Sequence, residues 1–147
     1  MFKYRTILGI LATMMAAFFL AACADDVADP EVDNVWARPG SMGDNSAAYL
    51  DITNAGDADL TLIGASGDIA AAVEVHESSM DDDGMMQMEE ISELVIEAGE
   101  TVSLEPGGFH IMMMNLERDL DVGDTFQITL EFDDHDDIEL DVTVEEQ

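Results

Sequence analysis

The feature that most constrains this chain is a strict two-residue alternation. Phe126, Ile128, Leu130 and Phe132 interleave with Gln127, Thr129 and Glu131, and Ile138, Leu140, Val142 and Val144 interleave with Glu139, Asp141 and Thr143. A period of two buries one face of a strand and wets the other, as in antiparallel sheets. The link Asp133-Asp134-His135-Asp136-Asp137 then reads as a hairpin connection. Upstream, shorter strand-like runs recur: Val32–Arg38, Ala48–Thr53, Leu60–Ala65, Ala72–His76, Met85–Met88, Leu94–Ile96, Thr101–Leu104 and His110–Met114. Pro106-Gly107-Gly108 is a strong turn signal before the last of these. Beyond the first two dozen residues no helical period is sustained, and there is no internal repeat. At 147 residues the expectation is one all-β domain, a β-sandwich or Greek-key barrel, spanning residues 32–147.

Charge and cysteine content exclude several functions. Thirty-four acids stand against four Lys or Arg, a formal charge of −30. Phosphate-backbone binding rests on basic side chains, so no nucleic-acid partner is expected. A single Cys excludes an internal disulfide, a multi-thiolate zinc site and a four-thiolate iron–sulfur centre. The sequence has no Gly-x-Ser-x-Gly elbow, phosphate loop or His-Glu-x-x-His helix, and carboxylates are too widespread to single out an acid–base pair. An enzyme is not expected. The acids are spread along the chain rather than clustered at ligand spacing, which favours an acidic surface suited to high salt over cation storage.

The first segment stands apart from the domain. Lys3 and Arg5 precede 17 uncharged, mostly apolar residues from Thr6 to Ala22, the pattern of a secretory signal. That stretch is marginal for a permanent membrane span. Its end, Leu20-Ala21-Ala22-Cys23, resembles the lipobox of bacterial lipoproteins, which implies cleavage before Cys23 and lipidation of its thiol. The alternative is an ordinary signal peptide or short anchor with an incidental Cys. Residues 23–31 then form a lipidated, polar tether, and the protein is extracytoplasmic, in the periplasm or at the cell surface, held to a membrane by lipid. Loss of residues 1–22 would leave Arg38 and Arg118 against 34 acids, a charge of −32.

Chemistry concentrates in methionine. Of eight Met after residue 22, seven lie in two stretches, each carrying a His: His76 to Met88, with Met80, Met85, Met86 and Met88, and His110 to Met114, with Met112, Met113 and Met114. On a strand, residues two apart share a face, so His110 points with Met112 and, farther along, Met114. Ile111 and Met113 turn to the opposite face, where core packing is the natural role. Met86 and Met88 also share a face, beyond an acidic turn at Asp81-Asp82-Asp83-Gly84. Two hairpin-like segments could thus converge imidazoles and thioethers on one ion. Thioether sulfur is soft and selects Cu(I) over zinc, calcium or magnesium. From the residues alone, a structural or adhesive β-sandwich with Met as packing remains open. His135, among four Asp, reads as a solvated turn residue. An electron-transfer cupredoxin would need a Cys thiolate at the copper, and the one Cys lies at the anchor.

The run from Val32 to Val144 resembles the periplasmic copper chaperones of the PCu(A)C type. The resemblance is carried by Trp36-Ala37-Arg38-Pro39, Ala47-Ala48-Tyr49-Leu50, Glu74-Val75-His76-Glu77, Gly84 with Met86-Gln87-Met88, and Pro106-Gly107-Gly108-Phe109-His110-Ile111-Met112-Met113-Met114, then Leu120 and Gly123-Asp124. It implies a cupredoxin-like Greek-key barrel and Cu(I) held by His76, Met88, His110 and Met112, with Met80, Met86 and Met114 as auxiliary or relay ligands. It also implies delivery towards the dinuclear copper site in subunit II of cytochrome c oxidase, alongside Sco-type proteins. The 21 residues between Met88 and His110 match the family spacing, whereas His76 and Met88 have eleven between them rather than ten. Either the acidic turn absorbs the extra residue or Met86 takes the place of Met88. Gln87 and Glu89-Glu90 also stand where the family segment is more basic.

Overall fold

The structure is a computed structural model and describes residues 28–147. The signal segment, Cys23 and the start of the tether lie outside the described residues. Ten strands form one continuous sheet: β1 (Glu31–Ala37), β2 (Ser46–Thr53), β3 (Leu60–Ser66), β4 (Ala70–Met80), β5 (Met86–Glu90), β6 (Leu94–Ile96), β7 (Thr101–Leu104), β8 (Phe109–Leu116), β9 (Thr125–Phe132) and β10 (Ile138–Val144). The strand order is β5-β4-β8-β7-β2-β1-β10-β9-β3-β6, with β8 also paired to β2. The sheet curls until β3 comes alongside β4, giving the half-barrel of a cupredoxin-like fold. The all-β reading therefore holds. It is not wholly antiparallel, because β1 runs parallel to β10 and β7 joins β8 parallel at Leu104 and Phe109.

The alternation in β9 becomes the core. Phe126, Ile128, Leu130 and Phe132 are buried with Leu50, Ile52, Leu62, Ile96 and Val142. In β10 only Val142 and Val144 reach full burial, while Ile138 and Leu140 are half-covered. Ile111 and Met113 on β8 are fully buried in the same core. Their neighbours His110, Met112 and Met114 must then lie on the opposite face of the sheet.

The largest departure from the sequence reading is β4, which continues four residues past His76 to Met80. Glu77-Ser78-Ser79-Met80 has no apolar alternation. It is strand because β5 pairs along it, Met80 opposite Met86, Ser78 opposite Met88 and His76 opposite Glu90. The connecting loop is built on Asp81. Its carboxylate accepts the backbone N–H groups of Asp83 and Met85 at 3.0 and 2.8 Å and the Gln87 amide at 2.9 Å. Gly84 takes φ +77°, where a Cβ would be strained. Five residues, 81–85, thus close the hairpin.

Candidate metal centre

The site is assembled by register. Across β4 and β8, His76 is directly opposite His110, Glu74 opposite Met112 and Ala72 opposite Met114. Directly paired residues project from the same face with Cβ atoms about 5 Å apart. The two imidazoles accordingly stack at a tilt, with centroids 5.9 Å apart and planes at 51°. Met88 enters from the other side of β4, in the row of Ser78 and Gly108. The Ser78 N–H donates to the Gly108 carbonyl at 3.0 Å, and small Ser78 lines the hollow that His110 borders. A groove of about 490 Å³ follows, with Met86, Met88, His110 and Met112 on one side and Arg38 and Tyr49 on the other. The Arg38 guanidinium lies 5.5 Å from the centre of the Tyr49 ring. Burial raises the Tyr49 phenol above its ordinary range, and the Arg38 charge partly offsets this.

The nitrogen atoms carry the chemical information. The Nε2 of His76 is 2.9 Å from a Glu74 carboxylate oxygen, and the Nδ1 of His110 is 3.1 Å from the Gly108 carbonyl. Both partners are acceptors, so each of those nitrogens bears the proton and the other keeps a lone pair. Those other atoms, Nδ1 of His76 and Nε2 of His110, are buried and have no hydrogen-bond partner. A buried polar atom left unmade costs about 1–3 kcal/mol. Two such atoms on facing imidazoles, each with its far nitrogen fixed by an acceptor, is the arrangement that orients histidines towards a metal. Among the described residues no group of three or more His, Cys, Asp and Glu could hold a metal. The protein side chains bordering the groove beside His110 that could add to the two nitrogens include the thioethers of Met86, Met88 and Met112.

The structure sorts the sequence candidates unevenly. His76, His110 and Met112 come together on adjacent rows, with Met88 diagonal to His76. The five-residue loop accommodates the extra residue, so Met88 shares the face of His76 and lies one row nearer to it than Met86. Met114 shares the face as well but does not border the groove, lying four positions along the strand from His110, about 13 Å. Met80 sits at the hairpin end opposite Met86. The expectation of two hairpins is corrected: β4–β5 is one, whereas β8 is an interior strand flanked by β4 and by β7 and β2. His135 is also corrected. Its side chain is only 9% exposed, held between Asp29 and the Asp136 carbonyl, with Phe132 edge-on at 6.0 Å. Sequence reasoning gave Glu74 no role, although its place two residues before His76 on a strand was a signal that the two share a face.

The LpqE-like family model matches residues 31–144, nearly all of the described chain. The chain belongs to this PCuAC-type family. It is 33% identical over 104 residues to Lxx21020 of Leifsonia xyli subsp. xyli, a protein described as a lipoprotein. That match covers 71% of this chain and 62% of the relative, so the chain spans about three fifths of the relative's length. The Cu(I) form of DR1885 from Deinococcus radiodurans is similar in structure, with a TM-score of 0.60 and 33% identity over 88% of this chain and 85% of that one. The apo PCuAC domain of PmoF1 has a TM-score of 0.68 at 21% identity, over 82% of this chain and 96% of that one, and shows the shared fold.

Proposed function

We infer that this domain is a Cu(I) carrier acting outside the cytoplasm, held to a membrane through lipid on Cys23, and not an enzyme. The observation that carries the reading is the pair of buried, partnerless nitrogens on the facing rings of His76 and His110, with Met86, Met88 and Met112 lining the groove that His110 borders. The ion is cargo. Nδ1 of His76 and Nε2 of His110 supply two nitrogen donors, and Met112 and Met88 supply soft, uncharged sulfur that favours the monovalent ion. Met88 is 58% exposed, so an acceptor's ligand can displace it first while the far less exposed imidazoles still hold the ion. Stepwise displacement suits transfer. The similarity to the Cu(I) form of DR1885 supports this cargo, and the likeness to a described lipoprotein supports the anchor. Delivery towards the dinuclear copper site of cytochrome c oxidase subunit II, with Sco-type proteins in the same route, is the acceptor the family resemblance favours. The reading of Met as packing alone accounts for buried Met113 but not for Met80, Met86 and Met88, each more than half exposed.

Anaerobic Cu(I) titration against a competing chelator tests the proposal. The parent should take up copper at this site with no intense blue band on exposure to Cu(II). His110→Ala and Met112→Ala should each weaken binding. Equal retention of copper by both variants would overturn the ligand assignment.

A further inference from the structure

We propose a second site for a soft monovalent cation at the tip of the β4–β5 hairpin, built from the thioethers of Met80, Met86 and Met88 and sharing Met88 with the histidine site. The inference rests on the reading of that site as a Cu(I) centre and extends it outwards. Met80 and Met86 are direct cross-strand partners, and Met88 follows Met86 by two residues on the same face. Direct partners have Cβ atoms about 5 Å apart and diagonal ones about 7–8 Å, within the reach of three long, flexible side chains. Their exposures are 73%, 61% and 58%, so packing does not account for them. Every residue of β5 is exposed, and a strand edge of this kind is normally guarded by charge or Pro rather than lined with thioethers.

The setting also selects the ligand. Glu77, Asp82, Asp83, Glu89 and Glu90 lie on the same hairpin as these sulfurs and give it a strong negative charge, with no Lys or Arg of its own, Arg38 standing across the groove from Met86 and Met88. Carboxylates concentrate cations of every kind, whereas thioethers retain only soft ones. Because Met88 belongs to both donor sets, an ion held at the tip passes to the imidazoles by exchanging Met80 and Met86 for His76 and His110, without leaving sulfur. The tip is thus the loading and unloading end of the carrier.

The test uses Ag(I), a redox-inert soft cation, added to the full chain with 13C-labelled Met methyl groups observed by NMR. In the parent, Met88 and Met112 should shift with the first equivalent, and Met80 and Met86 should reach saturation with a second. In His76→Ala/His110→Ala the Met80 and Met86 shifts should persist. In Met80→Leu/Met86→Leu, a volume-conserving change at exposed positions, the second equivalent should vanish while the first remains. Met42, an exposed methionine in the loop between β1 and β2, serves as the control. Static Met80 and Met86 signals, or a second equivalent that survives Met80→Leu/Met86→Leu, would overturn the proposal and leave the histidine site standing. An equal shift at Met42 would also overturn it, as adventitious thioether binding. Static Met88 and Met112 would defeat the histidine site itself.

Discussion

Glu74→Ala removes the acceptor that fixes the ring of His76 without touching a proposed copper donor. In the parent, the 2.9 Å contact from Nε2 to the Glu74 carboxylate places the proton on Nε2 and leaves Nδ1 free to bind. A hydrogen bond to a charged group is worth about 1.5–3 kcal/mol. At 1.36 kcal/mol per decade, that corresponds to roughly 10- to 150-fold in affinity. Loss of a partner behind a metal-bound histidine typically costs about 10- to 100-fold, in agreement. The Glu74 side chain is 28% exposed and His76 14%, so water replaces part of the lost contact and the lower end, about 10-fold, is expected. Glu74→Gln keeps an acceptor oxygen and should lose only a few-fold. Anaerobic Cu(I) competition with a chelator measures the affinities, and melting of the metal-free proteins checks that both variants fold. An affinity for Glu74→Ala equal to the parent's would refute the claim that this carboxylate sets the donor atom of His76.

Three further outcomes are expected. Met113→Ala, at a fully buried position, should destabilise the metal-free domain by about 2–5 kcal/mol in denaturant unfolding while a folded fraction still binds copper. The Asp81 carboxyl is held below its ordinary range, first by the Met85 N–H and then by the Gln87 amide. Its contribution to hairpin order is therefore present above about pH 4 and lost as pH falls through the lowered folded value, which amide exchange at Met85 across an acid series will detect. Finally, with a formal charge of −30 over the full sequence, the protein should melt higher as salt rises from low ionic strength; a melting point indifferent to salt would contradict self-repulsion as a dominant strain.

Much of this was legible along the chain. The alternations in β9 and β10 announced their faces because each strand is half-buried, and Pro106-Gly107-Gly108 announced its turn. The two-residue rule separated His110 and Met112 from buried Ile111 and Met113. The end of β4 was hidden, because Glu77 to Met80 is strand only through pairing with β5, a partner rather than a local preference. The cover over His135 was hidden for the same reason, since Asp29 lies 106 residues away.

The sequence by itself determined an all-β domain, which His and Met share a strand face, and that no thiolate within the domain could meet a metal. These follow from periodicity and atom type, both local properties. Only the tertiary structure decided that His76 faces His110, that Met88 lies a row nearer than Met86, and that Glu74 and the Gly108 carbonyl leave one lone pair open on each ring. Register between strands and the partner of each nitrogen depend on contacts between distant segments, and no local pattern records them.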